Sequence, residues 1–121
     1  MSFPVVVGIG LLGGAGAVAR LLLDGAVAEY VNRDFPYGTL VVNLLGSVVV
    51  GALLGLTISS TAYRLVGTGL VGAFTTFSTW QLESQRLGED GQLRLGALNL
   101  VVSLVLGVLA AWAGRHLGAW L

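Results

Sequence analysis

The chain has no cysteine, one histidine and very little charge. Without cysteine it has no disulfide framework and no thiolate metal site, so its redox compartment is not legible. His116 alone cannot make a histidine-based metal site. Charged residues make up 10% of the chain, against about a quarter in an average soluble domain. Hydrophobic residues make up 55%, and the mean hydropathy is +0.89. Formal net charge is zero, so nothing points to nucleic acid or to a partner of one charge sign. The first apolar run has no basic leader and its glycine-rich stretch continues into Arg20, unlike a cleavable signal peptide. Within the apolar runs there is no nucleophile–base pair, no carboxylate pair and no phosphate loop. Gly67-Thr68-Gly69-Leu70-Val71-Gly72 fits GxGxxG by spacing alone, outside any strand–helix unit. The chain reads as a non-enzyme.

What charge there is comes in islands. No charged side chain lies within residues 1–19, 35–63, 65–82 or 95–114. Each gap is about 18 residues or longer, enough for a helix to cross the roughly 30 Å hydrocarbon core of a bilayer. A greasy soluble bundle would need polar outer faces that these segments lack. The expected architecture is all-α and membrane-embedded: one domain over residues 1–121 with four transmembrane helices at about 4–30, 38–60, 63–86 and 92–118. Both termini then lie on one side. Arg33, Arg86 and Arg94, with Arg20 near the end of the first span, oppose Arg64 and Arg115 on the other side. Cation asymmetry sets orientation, and so weak a bias allows insertion both ways. An antiparallel dimer with its two-fold axis in the membrane plane then becomes available.

The first span carries Gly8, Gly10, Gly13, Gly14 and Gly16, small residues that let helix backbones approach closely in lipid. Pro36-Tyr37-Gly38 marks a turn and the entry to the second span. Every fourth residue from there gives Thr39, Asn43, Ser47, Gly51 and Gly55, a polar-then-small stripe opposite a Leu/Val face. Thr39 and Ser47 have two readings, a pore role or a bond back to their own helix carbonyls. Asn43 differs: an amide at membrane depth has four hydrogen-bonding sites and needs partners across an interface. The fourth span repeats the pattern with Asn99, Ser103, Gly107 and Ala111, and Trp112 and Trp120 suit a membrane–water boundary.

The third span is the unusual one. After Gly67, Gly69 and Gly72 comes Thr75-Thr76-Phe77-Ser78-Thr79-Trp80, then Gln81 and Glu83. Lipid penalises unpaired polar groups, so this cluster requires protein or water to satisfy it. Four β-branched or hydroxyl residues (Thr75, Thr76, Ser78 and Thr79) after a glycine weaken the helix, and a break is expected around residues 72–76. A broken helix at mid-membrane exposes carbonyls to a cation and N–H groups to an anion. The other reading is an intact helix using its Ser and Thr for interhelical bonds. The interior is rich in neutral donors and in ring edges, which carry partial positive charge. Such a lining replaces an anion's hydration shell without trapping it, as conduction requires.

Three stretches carry a family resemblance: Gly13-Gly14-Ala15-Gly16-Ala17-Val18-Ala19-Arg20, residues 38–47 (Gly38-Thr39-Leu40-Val41-Val42-Asn43-Leu44-Leu45-Gly46-Ser47), and Gly72-Ala73-Phe74-Thr75-Thr76-Phe77-Ser78-Thr79. They resemble the Fluc (CrcB) fluoride channels across three of four spans, in order and at the right length. The resemblance implies a dual-topology homodimer of four-helix subunits in the cell's inner (plasma) membrane. It implies passive fluoride export through two pores, lowering fluoride toxicity, and a structural sodium ion at the dimer centre. By position, Asn43 would line the fluoride path and Phe77 would offer its ring edge. Thr39, Thr76, Ser78, Thr79 and Ser103 would join that path, with Arg20 by the vestibule and Glu83 as the acid after the motif. Main-chain carbonyls of Gly72 and Thr75 would hold the sodium. Trp80 stands where the family has a second Phe, adding an N–H donor, and Asn99 stands where a Tyr is often found.

The partners implied are fluoride, a second copy of the chain and the bilayer. The alternative transporter is a small dual-topology, proton-coupled multidrug exporter, which needs an embedded carboxylate in its first helix; residues 4–23 contain none. A third reading is a non-transporting helical assembly factor, for which apolar replacement of Thr75 and Thr76 would be harmless.

Overall fold

The computed structural model describes residues 1–31 and 34–121 of the chain, and every described element is helical. Helix α1 spans Phe3–Tyr30, entered through Pro4 in its first turn, where the missing N–H costs nothing. Helix α2 spans Tyr37–Gly55. A helical rod follows, made of α3 (Ser60–Ala62), a π-helical stretch (Tyr63–Val71) and α4 (Gly72–Phe74). After a gap come α5 (Ser78–Glu89) and α6 (Leu93–Trp120). Helices α1, α2 and α6 are long and apolar enough to cross a membrane. Arg33, counted among the cations of the first connection, lies outside the described residues.

The path of the chain follows from which residues meet. A Cβ added at Gly51 would run into the Ala111 carbonyl, and one at Gly55 into the Arg115 carbonyl. Reciprocally, Gly114 lies against Val48 and Gly118 against Ala52. Residue numbers rise together on the two helices, so α2 and α6 run parallel in glycine-to-backbone contact. Residues 60–89 must therefore carry the chain back along the bundle. The π-helical stretch likewise runs parallel to α1, with Gly69 against Ile9 and Gly16 against Leu70.

The turns are local in origin. Helix α2 ends at Gly55, short of the expected residue 60, because Thr57 takes a left-handed φ of 52° and reverses the chain. Ser59 then caps α3, accepting a 3.1 Å bond from the Ala62 N–H. At the end of α5, Gly91 (φ 80°) lets the Gln92 N–H reach back to the Leu87 carbonyl at 2.7 Å.

The described residues form almost no apolar core. Among the described residues, Val42, Val71 and Leu87 are the buried large hydrophobics, whereas long Leu and Val faces of α1 and α6 are exposed. Such faces require lipid or another apolar surface to cover them. What is buried between helices is small or polar: Thr39, Thr76, Ser84 and Asn99.

Candidate functional site

The expected break is present, but it begins at Thr75 and not at the glycine. Gly72 keeps helical angles (φ −59°, ψ −38°), and α4 completes one further turn. Thr75 is then extended (φ −79°, ψ 161°), and α5 restarts at Ser78. The cause is Asn43 on α2. Its Oδ1 accepts from the Thr76 N–H at 2.8 Å and its Nδ2 donates to the Thr76 carbonyl at 2.9 Å. One side-chain amide thus satisfies both polar groups of a peptide that the helix has abandoned. This answers the demand that an amide at this depth find partners across an interface.

The break releases several carbonyls, those of Gly72 and Thr75 among them. The Thr76 N–H goes to Asn43, not to the Gly72 carbonyl four residues back. The Thr79 N–H goes to Thr76 Oγ1 at 3.2 Å, not to the Thr75 carbonyl. Gly72 and Thr75 are therefore left outside the helical ladder at their C=O groups, and Gly72 is exposed. Thr76 Oγ1 serves as the cap of α5 and also donates to Thr79 Oγ1 at 3.1 Å. Thr75 Oγ1 bonds back to the Val71 carbonyl at 3.2 Å.

Two cavities lined in part by Thr76 adjoin this point, and a third lies farther along. An open one of about 490 Å³ is lined by Asn43, Ser47, Thr75, Thr76, Phe77, Trp80 and Ser103 with apolar side chains of α2 and α6. A smaller one of about 150 Å³ holds Arg20, Asp24, Thr39, Thr76 and Thr79. At the end of the bundle formed by the C-terminus of α1 and the N-terminus of α2, a third of about 410 Å³ is lined by Asp24, Glu83, Arg86 and Asp90. Thr39 joins them, because its Oγ1 donates to Glu83 Oε1 at 2.5 Å. That bond replaces the bond back to its own helix for Thr39: it reaches across to α5. Ser47 goes the other way, donating to the Asn43 carbonyl of its own helix at 2.8 Å.

Phe77 is 68% exposed, with its ring centroid 5.3 Å from that of Trp80 in an edge-on arrangement. The Trp80 N–H does not face the cavity as a free donor; it bonds to the Asn99 carbonyl at 3.2 Å. Ser103 Oγ donates to Asn99 Oδ1 at 3.3 Å. Ser78 is exposed and lines none of these three cavities. The other expected path residues, Arg20, Thr39, Asn43, Thr76, Phe77, Thr79, Trp80, Glu83 and Ser103, each line at least one of them. Sequence reasoning missed Ser84, whose Oγ accepts from the Asn99 amide at 2.8 Å. Its signal was its spacing, one helical turn after Trp80, as Ser103 is one turn after Asn99.

Comparison with known proteins gives the same assignment as the motifs. Residues 7–115 match the family model described as "CrcB-like protein, Camphor Resistance (CrcB)". A protein of Mycolicibacterium paratuberculosis named "Fluoride-specific ion channel FluC 2" is 57% identical over 116 residues, covering 96% of this chain and 95% of its own. The Mycobacterium tuberculosis (strain H37Rv) protein of the same name is 50% identical over 115 residues, covering 95% and 91%. "Fluoride-specific ion channel FluC" of Magnetococcus marinus is 47% identical over 113 residues, covering 88% and 92%. Matched nearly end to end by such relatives and carrying several apolar helices around a broken one, this chain is a multi-pass membrane protein that belongs to the CrcB family.

Proposed function

We propose that this protein is a fluoride-selective ion channel that lets fluoride leave the cell passively across the cytoplasmic membrane and so lowers fluoride toxicity. The observation that carries the reading is the Asn43–Thr76 bridge at the wall of the Phe77-lined cavity. An Asn amide has two donor hydrogens, and the Thr76 carbonyl takes one. The other remains for an anion, beside the exposed ring of Phe77 with its partly positive edge. These are neutral donors, strong enough to replace water around a small anion and too weak to hold it permanently. From there Thr76 and Thr79 lead to the small cavity with Arg20 and Thr39, and Thr39 leads to Glu83 at the end of the bundle. The transport class of the named relatives favours a channel over an enzyme.

The working unit in this reading is two copies of the chain, antiparallel in the membrane, each crossing four times. The parallel course of α2 and α6 supports four passes, since residues 60–89 must return the chain between them. The exposed Phe77, Gly72 and apolar helix faces support a second copy as the missing cover. Two copies would give two paths. A sodium ion fits the released carbonyls of Gly72 and Thr75, which are hard oxygen donors freed from the helical ladder. Supplied by both copies, they would hold it at the centre, where it contributes fixed positive charge and cross-links the broken helices.

The test is ion efflux from liposomes containing the purified chain alone. Fluoride should leave and chloride should stay; equal passage of both would sink the reading. Cross-linking or single-molecule counting should give two chains per particle.

A further inference from the structure

We propose that Asn99 is a positioning residue: it holds the Trp80 indole in place, so that Trp80 presents its ring, and not its N–H, to the ion path. The proposal deepens the channel reading and rests on it for its functional half.

Four hydrogen bonds carry the inference. The Trp80 Nε1–H donates to the main-chain carbonyl of Asn99 at 3.2 Å. The Asn99 side-chain amide donates to Ser84 Oγ at 2.8 Å. Ser84 Oγ in turn donates to the Trp80 carbonyl at 2.9 Å, one turn back on its own helix. The three residues form a closed ring between α5 and α6, each giving one bond and receiving one. Ser103 Oγ adds the fourth bond, donating to Asn99 Oδ1 at 3.3 Å. Asn99 is 1% exposed, so its amide cannot exchange these partners for water. Hydrogen bonds linked in this way polarise one another and lose more than their pairwise worth when one is removed.

Packing makes the ring possible. A Cβ added at Gly96 would sit 2.8 Å from the Ser84 carbonyl, so α5 and α6 approach to backbone contact one turn from Asn99. At that separation the indole N–H reaches across to the Asn99 carbonyl. Trp80 and Ser103 both line the cavity beside Phe77, and both turn their donor hydrogens onto Asn99. The cavity therefore meets a fixed aromatic surface where a mobile indole would offer a stronger N–H donor. Because the Trp80 N–H bonds to main chain, the Asn99 side chain acts on it indirectly, by fixing the α5–α6 distance through Ser84.

The experiment uses the full chain in lipid with Trp112→Phe and Trp120→Phe, leaving Trp80 as the sole tryptophan. Time-resolved fluorescence anisotropy then reads Trp80 motion on the nanosecond scale, where side-chain rotamers exchange. Asn99→Leu should add a fast depolarising component that the parent lacks. Fluoride flux through Asn99→Leu should fall about tenfold with Trp80 present, but less than about twofold when Trp80→Phe is made as well, as for two groups acting as one. Ser84→Ala, a smaller change that leaves Asn99 in place, should loosen Trp80 in the same direction. Unchanged Trp80 motion in both variants overturns the proposal, as does an equal flux penalty with Trp or Phe at position 80. If the parent chain passes no fluoride, the channel reading falls, and Trp80 motion in Asn99→Leu and Ser84→Ala still decides whether Asn99 holds the indole.

Discussion

The Asn43 side chain stands in for a turn of helix that Thr76 lacks: its amide pairs with both the N–H and the carbonyl of that one residue, at 2.8 and 2.9 Å. A broken helix in lipid must satisfy its freed peptide groups internally, and here a neighbouring helix does so with one side chain. The break, the released carbonyls and the wall of the cavity all depend on that pair.

Asn43→Leu is the direct test of this dependence. It removes both bonds and leaves a peptide N–H and carbonyl unpaired at the centre of the bundle, each costing about 1–3 kcal/mol. The folded protein should survive in detergent with a lowered unfolding midpoint, and fluoride efflux should drop at least about tenfold for a loss of that size. Asn43→Asp keeps the acceptor and loses the donor, so its efflux should be impaired although the Thr76 N–H remains bonded. Efflux at the parent rate in both variants would remove Asn43 from the path.

Adjacent threonines should respond differently to the same substitution. Thr75 Oγ1 bonds back to Val71 in its own helix, so Thr75→Val deletes one local bond and leaves the Thr75 carbonyl where it is. Thr76 Oγ1 caps α5 and touches Thr79. Thr76→Val should cost about 1 kcal/mol, the usual value of a lost helix cap, and slow efflux by disturbing the start of α5. Thr75→Val should be close to neutral on both counts, as expected where a backbone carbonyl and not the hydroxyl is the functional group. Thermal unfolding paired with fluoride efflux separates the two.

Much of this was legible in the sequence, and for a physical reason. Crossing a bilayer demands long runs without charge, so three of the four gaps between charged islands mark helices long and apolar enough to cross, and the fourth holds the broken rod. Asn43 was legible because an amide at depth cannot go without partners. The π-helical stretch at Tyr63–Val71 was not, since no apolar or polar spacing in this sequence distinguishes its wider turns from those of an α-helix. Within the expected range of 72–76, the start of the break at Thr75 was not legible, because it depends on the pairing of Thr76 with Asn43 on another helix. Nor could the sequence tell that Thr39 reaches Glu83 while Ser47 bonds back to its own helix, since both residues share one stripe. The fate of the Trp80 N–H depends on a main-chain carbonyl, which no side-chain pattern reveals.

Helix contact through glycine should make residue size decisive where a glycine meets a neighbouring helix, as between α2 and α6, and unimportant where it faces open space. Gly114 faces the Val48 backbone, with the Val48 Cα 3.0 Å from where a Cβ would stand, whereas Gly25 has nothing within 4 Å. Gly114→Ala must push the helices apart, a strain of about 1–3 kcal/mol, and should lower the unfolding midpoint. Gly25→Ala should leave it unchanged or raise it slightly, since alanine favours helix by up to about 1 kcal/mol. Equal midpoints for the two variants would contradict the parallel α2–α6 contact.

Thr57 offers a change that should stabilise the protein without touching ion flow. It holds a left-handed φ of 52°, a region that disfavours β-branched side chains, at the reversal between α2 and α3. Left-handed backbone costs an L-residue roughly 1–2 kcal/mol, which glycine does not incur. Glycine gives back part of that gain, about 0.4–1 kcal/mol, through the greater freedom of its unfolded chain. It also forfeits the 2.7 Å bond from Thr57 Oγ1 to the Leu56 carbonyl, which is exposed and therefore weak. The balance favours Thr57→Gly by about 0.5 kcal/mol, seen as a small upward shift in the unfolding midpoint. Fluoride efflux should be unaltered, because Thr57 lines the cavity with Arg64, at the opposite end of the bundle from Glu83. A lowered midpoint would mean that the Thr57 side chain, and not the backbone angle, holds the turn.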